Sequence, residues 1–140
     1  MPEVLVVNRN LQKENSWLLD TYRRDGGYTQ AERAVRESTP EEVIETVTAA
    51  DLKGRGGAFF PTGMKWKFVR ADSNTPRYVV ANGDESEPGT YCNRFLLEKD
   101  PHGFIEGMII SLIAARVSRS THLPYSGLPV PSMMPGISLN

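Results

Sequence analysis

Residues 54–66 read Gly-Arg-Gly-Gly-Ala-Phe-Phe-Pro-Thr-Gly-Met-Lys-Trp. Glycine has no Cβ atom, so a ligand can lie directly against the backbone of this stretch. Neighbouring glycines also let several backbone N–H groups point the same way and form a concave anion site. Arg55 and Lys65 add positive charge, and Phe60 and Phe68 add flat apolar faces. The stretch therefore has what a nucleotide needs, which is donors for a phosphate and a surface for a ring.

The spacing within residues 53–63, called the glycine loop below, matches no standard phosphate motif. It is not G-x-G-x-x-G after a strand, because the preceding element reads as a helix. It is not G-x-x-x-x-G-K-S/T either, because Met64 follows Gly63 and Trp66 stands in place of the hydroxyl residue. On spacing alone, a surface Ω-loop without a ligand stays an open interpretation.

A second polar segment, residues 82–90, reads Asn-Gly-Asp-Glu-Ser-Glu-Pro-Gly-Thr and is called the acidic loop below. It follows residues 77–81, an apolar run that predicts a short buried strand. Ligands of open α/β sheets bind beyond the carboxyl ends of strands, where Asp84, Glu85 and Glu87 can accept hydrogen bonds from sugar hydroxyls. A hard divalent cation and a solvated loop without a ligand are the competing interpretations.

Helix signals surround these two loops. Thr39 is a good N-cap, Pro40 suits the first helical position, and Glu42 completes a capping box, so a helix is predicted that ends near Ala50. Residues 65–70 leave helix and extended structure open. Further predictions are helices over 15–24, 28–36 and 101–116 and a short strand over 4–7. The apolar face of the 101–116 helix comprises Phe104, Ile105, Met108, Ile109, Leu112 and Ile113.

Composition divides the chain into three parts. Residues 1–37 form a mixed N-terminal segment, and residues 38–116 form the domain that contains both loops. Residues 117–140 hold five serines and four prolines, a composition typical of irregular structure.

Charge and cysteine content exclude several classes of protein. The 140 residues carry a formal net charge of −1, which gives no electrostatic reason to expect nucleic acid or an anionic membrane as a partner. Cys92 is the single cysteine, so this chain cannot form an internal disulfide or hold a zinc ion or iron–sulfur cluster through thiolates, and no metal site is predicted. No apolar run is long enough to cross a bilayer, and no secretion signal is recognisable, so a cytoplasmic protein is expected.

Taken together, the motifs closely resemble the flavin-bearing, NADH-oxidising F subunit of respiratory complex I, the proton-pumping NADH:quinone oxidoreductase. Order and spacing agree over residues 38–116. The matching positions are Gly54 to Gly63 with Lys65-Trp66, Asn82 to Thr90, Arg94, Pro101-His102 and Glu106-Gly107-Met108.

The resemblance implies a Rossmann-like α/β domain in which FMN lies in a deep cleft and NADH stacks on it. Glu87 would lie near the two reacting rings and act as the catalytic residue. Positions along the flavin would be Gly54, Arg55, Gly56 and Lys65, with Asn82, Asp84 and Glu85 as further cofactor-binding residues of the acidic loop. Positions on the NADH side would be Gly57, Ala58, Phe60, Lys65 and Phe68.

The resemblance also implies an activity, hydride transfer from NADH to FMN and onward electron transfer toward quinone. The family carries a 4Fe–4S cluster whose cysteines are absent from this chain, and residues 117–140 do not resemble the family's continuation. An N-terminal fragment that is inactive alone is therefore expected. Its partners would be other peripheral-arm subunits, among them the thioredoxin-like 2Fe–2S subunit, in the cytoplasm and peripheral to the inner membrane.

The chain departs from the family pattern at four places. Phe59 stands where the family has glycine, and a left-handed backbone there would cost about 1–2 kcal/mol. Gly83 replaces an alanine, Cys92-Asn93 replaces a Lys-Asp pair, and Gly103 replaces an apolar residue.

Three alternative functions stay open at the level of sequence. A diaphorase subunit of a soluble NAD-dependent hydrogenase or formate dehydrogenase shares both loops. A non-catalytic nucleotide-binding or assembly module needs the loops but no flavin chemistry. A metal-binding module would use the acidic loop alone.

Overall fold

The structure, a computed structural model, describes residues 7–116, and these contain six helices. The helices are α1 (Leu19–Arg24), α2 (Thr29–Arg36), α3 (Pro40–Ala49), α4 (Thr62–Ala71), α5 (Cys92–Lys99) and α6 (Pro101–Ala115). The predicted irregular segment 117–140 lies outside the described residues, as does nearly all of the strand predicted over 4–7.

Helix α6 is the element against which α2, α3, α4 and α5 pack. Two buried clusters flank it, and Ile110 of α6 contacts both of them. The first cluster is Ala34, Val43, Ile44 and Ala114, and the second is Tyr22, Tyr28 and Ala31. Burial of these apolar side chains is the main stabilising contribution that the described residues offer.

The apolar face predicted for α6 is only partly buried. Ile109 and Ile113 pack against the two clusters, whereas Phe104 and Ile105 are each more than a third exposed. Near its N-terminus the helix buries Glu106 instead. The buried surface of α6 therefore includes a polar group that an apolar periodicity does not reveal.

The capping box predicted for α3 is confirmed. The Thr39 side chain accepts a hydrogen bond from the backbone N–H of Glu42, and the Glu42 carboxylate accepts one from the backbone N–H of Thr39 at 2.7 Å. The helix ends at Ala49, close to the predicted position. Val43 and Ile44 are buried, so the local start signal sets which side chains reach the core.

Replacing Thr39 with alanine is expected to lower the free energy of unfolding by about 1 kcal/mol, because the cap oxygen is lost. Urea denaturation at constant m-value measures this change. Thr46→Ala is the matched control, since the Thr46 hydroxyl donates only to the carbonyl of Glu42 within the helix. Equal losses in both variants would show that the cap contributes nothing specific.

The buried strand predicted over residues 77–81 is not formed. These residues are neither helix nor strand, and Val80 and Tyr78 are 85% and 61% exposed. A strand needs a neighbour for its backbone hydrogen bonds. Residues 7–116 contain no strand that could pair with it, and their one β-bridge joins Lys53 to Pro61. The α/β class therefore stays a prediction.

One helix boundary differs from the sequence expectation, one undecided segment is helical, and one helix is additional. Helix α1 begins at Leu19 because turns occupy residues 7–18, whereas the sequence predicts a helix from residue 15. Residues 65–70, for which the sequence leaves two structures open, lie within α4. Helix α5 was not predicted, and no residue of it is buried, so it lacks the apolar stripe that a prediction needs.

No helix within residues 7–116 is both long enough and apolar enough to span a bilayer.

Candidate functional site

The glycine loop is an outward bulge whose base is closed by backbone hydrogen bonds. The N–H of Gly54 donates to the carbonyl of Phe60 at 2.9 Å, and the N–H of Thr62 donates to the carbonyl of Leu52 at 2.8 Å. Residues 51–60 are exposed along their whole length. The loop therefore has a defined base, and its outer backbone is accessible to a ligand.

Gly56 and Gly57 form the open part of the loop. A Cβ atom built on either of them would meet no atom within 4 Å. Gly57 has φ +101°, a left-handed value that disfavours any residue with a Cβ. The backbone at these two positions can thus be approached closely, as the resemblance implied for a flavin or nicotinamide ring.

Phe59 has a positive φ of 50°. Its backbone is therefore left-handed, which is the condition under which a phenylalanine in place of glycine is strained. For a bulky residue this backbone conformation costs about 1–2 kcal/mol. Its side chain is 59% exposed, so burial within the described residues recovers little of that cost.

Two of the predicted NADH-side residues come together. The rings of Phe60 and Phe68 lie 6.3 Å apart between centroids, at an interplanar angle of 47°. Arg55 and Lys65 are exposed. The glycine loop and the first turns of α4 thus present apolar rings and cations to solvent. This combination of groups suits a nucleotide or flavin.

Gly63 fixes the loop to the rest of the fold. It is buried, and a Cβ atom built on it would lie 2.2 Å from the hydroxyl oxygen of Thr48 and 3.1 Å from the Thr48 Cα. The start of α4 therefore packs directly against the end of α3. The sequence singled out this glycine as part of the loop but gave no sign of its helix contact.

The acidic loop folds onto the start of α5. The Asn82 side chain accepts from the N–H of Asp84 at 2.8 Å, and the Glu85 carboxylate accepts from the N–H of Arg94 at 2.7 Å. Asn93 donates to the carbonyl of Asp84 at 2.8 Å. Glu85 thus satisfies an orphan N–H in the first turn of α5, a position that also favours negative charge.

Glu87, the predicted catalytic residue, lies exposed in the turn that the N–H of Thr90 closes onto its carbonyl at 3.2 Å. Within residues 7–116, no hydrogen bond, ion pair or aromatic contact joins the acidic loop to the glycine loop. The structure therefore brings together the residues of each loop but does not record a contact between the two sets.

Two alternative kinds of site receive no support from the described residues. Within 7–116 no three His, Cys, Asp or Glu side chains converge to hold a metal ion. A polar cleft of about 80 Å³ lies elsewhere, between the N-terminal turns and α1, where Lys13 already pairs with Asp25 at 2.9 Å. The cleft lacks aromatic faces other than Tyr22, so the glycine loop is the better nucleotide candidate.

Glu106 is a buried carboxylate that connects α6 to α1 and α2, and the sequence patterns do not reveal this role. Its carboxylate accepts hydrogen bonds from the N–H groups of Tyr28 and Ala31, at 3.0 and 3.1 Å, and from the hydroxyl of Tyr22. Tyr28 is the N-cap of α2 and makes no capping bond of its own. A side chain of α6 therefore caps α2. The available signal was a lone carboxylate within an apolar helix.

Two tyrosines that lie close to Glu106 have raised pKa values. Burial, together with the hydrogen bond to Glu106, raises the pKa of Tyr22 well above its ordinary value of 10.0. Burial, with the nearby charge of Glu106, also raises the pKa of Tyr28. The Tyr28 hydroxyl lies 2.9 Å from Nδ1 of His102. Folding thus favours the neutral form of both phenols.

Stability is expected to fall at alkaline pH because of these phenols. Their folded pKa values lie above the unfolded value of 10.0, so their contribution is complete below pH 10 and is lost as the pH rises further. Urea denaturation at pH values from 8 to 11 measures how steeply the free energy of unfolding falls with pH. In the Tyr22→Phe, Tyr28→Phe double variant this fall should be less steep above pH 10. An unchanged pH dependence would contradict the raised pKa values of the two phenols.

Comparison with known proteins identifies the family. Residues 47–122, which include both loops, match the Nuo51 FMN-binding domain family. The chain belongs to this family of FMN-binding flavoprotein domains. The resemblance noted in the sequence is thereby confirmed.

Proteins similar to this chain include subunits of NADH-quinone oxidoreductase. The chain is 47% identical over 109 residues to the F 2 subunit in Rhizobium meliloti, covering 78% of this chain and 26% of the relative. It is 53% identical over 96 residues to the F subunit of Aquifex aeolicus, covering 69% and 22%. With the F subunit of Escherichia coli the identity is 46% over 108 residues, covering 76% and 24%. The chain spans about a quarter of the length of these relatives.

Proposed function

We propose that this chain carries part of the FMN and NADH site of the flavoprotein subunit of NADH:quinone oxidoreductase. The observation that carries the proposal is the family match over residues 47–122 together with the open backbone at Gly56 and Gly57. In such a subunit a bound FMN would supply the redox chemistry, as the acceptor of a hydride from NADH and the source of electrons toward quinone. The protein's part is to hold the two rings in contact at reacting distance, roughly 3–3.5 Å.

The glycine loop supplies the surface on which both cofactors lie. Gly54, Arg55 and Gly56 follow the flavin, and Lys65 offsets negative charge between flavin and nucleotide. Gly57 and Ala58 face the nicotinamide nucleotide, whose adenine meets Phe60 and Phe68. The 6.3 Å pairing of those two rings supports this last role.

The acidic loop supplies polar groups for the flavin side chain and the reacting rings. Asn82 and Asp84 bind the hydroxylated chain or phosphate of FMN. Glu85 keeps the loop in shape through its hydrogen bond to the N–H of Arg94, and so holds the cofactor-binding residues in place. Glu87 lies near the nicotinamide and flavin rings, where a carboxylate can tune the flavin potential and product release.

The finer fold proposal is a Rossmann-like α/β domain. The unpaired segment 77–81 supports it, because Val80 is 85% exposed although its neighbours in sequence are apolar. Pairing of this segment with strands that residues 7–116 do not contain would bury it. Because the chain spans about a quarter of its relatives, the 140 residues alone are proposed to be inactive as an enzyme.

Partners and cofactors follow from the same proposal. The family's 4Fe–4S cluster would be held by other parts of the flavoprotein, since this chain has one cysteine. The proposed partners are peripheral-arm subunits, including the thioredoxin-like 2Fe–2S subunit. Together they would lie in the cytoplasm at the periphery of the inner membrane.

Titration of the 140-residue chain with FMN, and separately with NADH, tests the site. Lys65→Ala is expected to weaken FMN binding about tenfold or more, because a charge-assisted contact to phosphate or ring oxygen is lost. Lys67→Ala is the matched control, since Lys67 is another exposed lysine of α4. Equal weakening by both variants would indicate only nonspecific attraction of an anion. Nucleotide binding without FMN binding would favour the non-catalytic module.

A further inference from the structure

We infer that Phe59 is a further nucleotide-binding residue, which stacks on the purine base of the nucleotide bound at the glycine loop. This inference rests on the proposed function of that loop. The ligand class is an adenine-bearing nucleotide, and the interaction is between the flat face of the base and the phenyl ring. In the family pattern that this sequence resembles, a glycine stands at this position.

The backbone of Phe59 is the first observation. Its φ of 50° is a left-handed value in which a bulky side chain is strained. Glycine would adopt the same conformation without that strain. Residues with a strained backbone cluster at active sites and ligand clamps.

The exposure of Phe59 is the second observation. The side chain is 59% exposed, and within the described part of the chain its ring has no aromatic partner, whereas Phe60 and Phe68 pair with each other. Burial within residues 7–116 therefore does not account for a phenylalanine with this strained backbone. A ligand that covers the ring would account for it.

The surroundings of Phe59 select the ligand class. It directly precedes Phe60, whose ring faces Phe68 and would contact adenine in the proposed function. Gly57, two residues before it, leaves the backbone open. A planar base placed on this part of the loop can therefore meet a further aromatic face, and stacking of this kind is tolerant of hydrogen-bonding pattern.

Calorimetric titration of the full 140-residue chain tests the inference with three probes, namely NADH, AMP and reduced nicotinamide mononucleotide, which lacks adenine. Phe59→Gly is expected to raise the Kd of NADH and of AMP about tenfold, the usual effect of losing one stacking ring. The Kd of reduced nicotinamide mononucleotide is expected to stay unchanged. The same variant should unfold at a higher temperature, because the backbone strain is relieved.

Two further variants separate stacking from loop flexibility. Phe59→Leu keeps an apolar side chain and a restricted backbone but has no flat face, so it should bind adenine probes as weakly as Phe59→Gly. Phe59→Tyr should bind like the unaltered chain. The inference is overturned if Phe59→Gly or Phe59→Leu binds AMP as tightly as the unaltered chain, or if all three probes weaken equally. An unaltered chain that binds neither NADH nor AMP would instead overturn the proposed function itself, and the inference with it.

Discussion

Replacing Glu106 with alanine is expected to lower the free energy of unfolding by about 3–5 kcal/mol. The substitution removes the acceptor of three hydrogen bonds, from the N–H groups of Tyr28 and Ala31 and from the hydroxyl of Tyr22. All three donors are buried, so each loses its partner without gaining water. Helix α2 also loses its cap. Chemical denaturation followed by circular dichroism measures the change.

Three control variants divide this effect into its parts. Glu106→Gln keeps the size and one acceptor oxygen, so its loss should be smaller than that of alanine. Tyr22→Phe removes a single hydrogen bond and should cost about 1 kcal/mol. Glu98→Ala is the matched surface control, because its ion pair with Arg94 is exposed and should contribute at most about 1 kcal/mol. If Glu106→Ala lowers the free energy of unfolding no more than Glu98→Ala does, the capping role of Glu106 is refuted.

Replacing Gly63 with alanine is expected to cost about 1–3 kcal/mol, because overpacking forces backbone shifts. The new Cβ atom would lie 2.2 Å from the Thr48 hydroxyl oxygen and 3.1 Å from the Thr48 Cα, which cannot rotate away. Helix α4 must therefore move relative to α3. Since α4 carries one end of the glycine loop, FMN affinity should fall together with stability.

A second helical glycine provides the control for Gly63. A Cβ atom on Gly107 in α6 would meet nothing within 4 Å, so Gly107→Ala should leave the chain as stable or raise its stability by up to about 1 kcal/mol. In the double variant of Gly63→Ala with Thr48→Ala, part of the loss should return, because one clashing atom is gone. If the losses of the two single variants simply add in the double variant, the cost of Gly63→Ala does not arise from its contact with Thr48.

Local signals in the sequence were sufficient for several elements. The capping box at Thr39 and Glu42 fixes the start of α3 through contacts three residues apart. The Pro101 start and apolar periodicity of α6 likewise depend only on neighbours along the chain. Contacts of this range are encoded by spacing, so a sequence pattern can predict them.

Long-range contacts were the part that the sequence could not supply. Glu106 caps a helix that lies some 75 residues away along the chain, and no local pattern encodes that distance. The segment 77–81 has strand composition, yet composition does not provide a neighbouring strand. Helix α5 buries no residue, so it lacks the periodicity by which helices are recognised.

The candidate site was predictable to different degrees in its two halves. The open backbone of Gly56 and Gly57 follows from residue type, and a Cβ atom on either would meet nothing within 4 Å. The possible strain at Phe59 came from the family pattern, which has glycine there, and the φ of 50° at Phe59 meets that condition. The meeting of the glycine loop with the acidic loop depends on tertiary packing, which spacing does not determine. That meeting remains the central prediction.

Backbone amide NMR of the 140-residue chain during titration with FMN most directly tests whether the glycine loop and the acidic loop form one site. Convergence of the two loops predicts that the amide signals of residues 54–58 and of residues 82–87 shift together, with one common Kd. Shifts confined to one loop, or shifts that report two different Kd values, would contradict a single site shared by both loops.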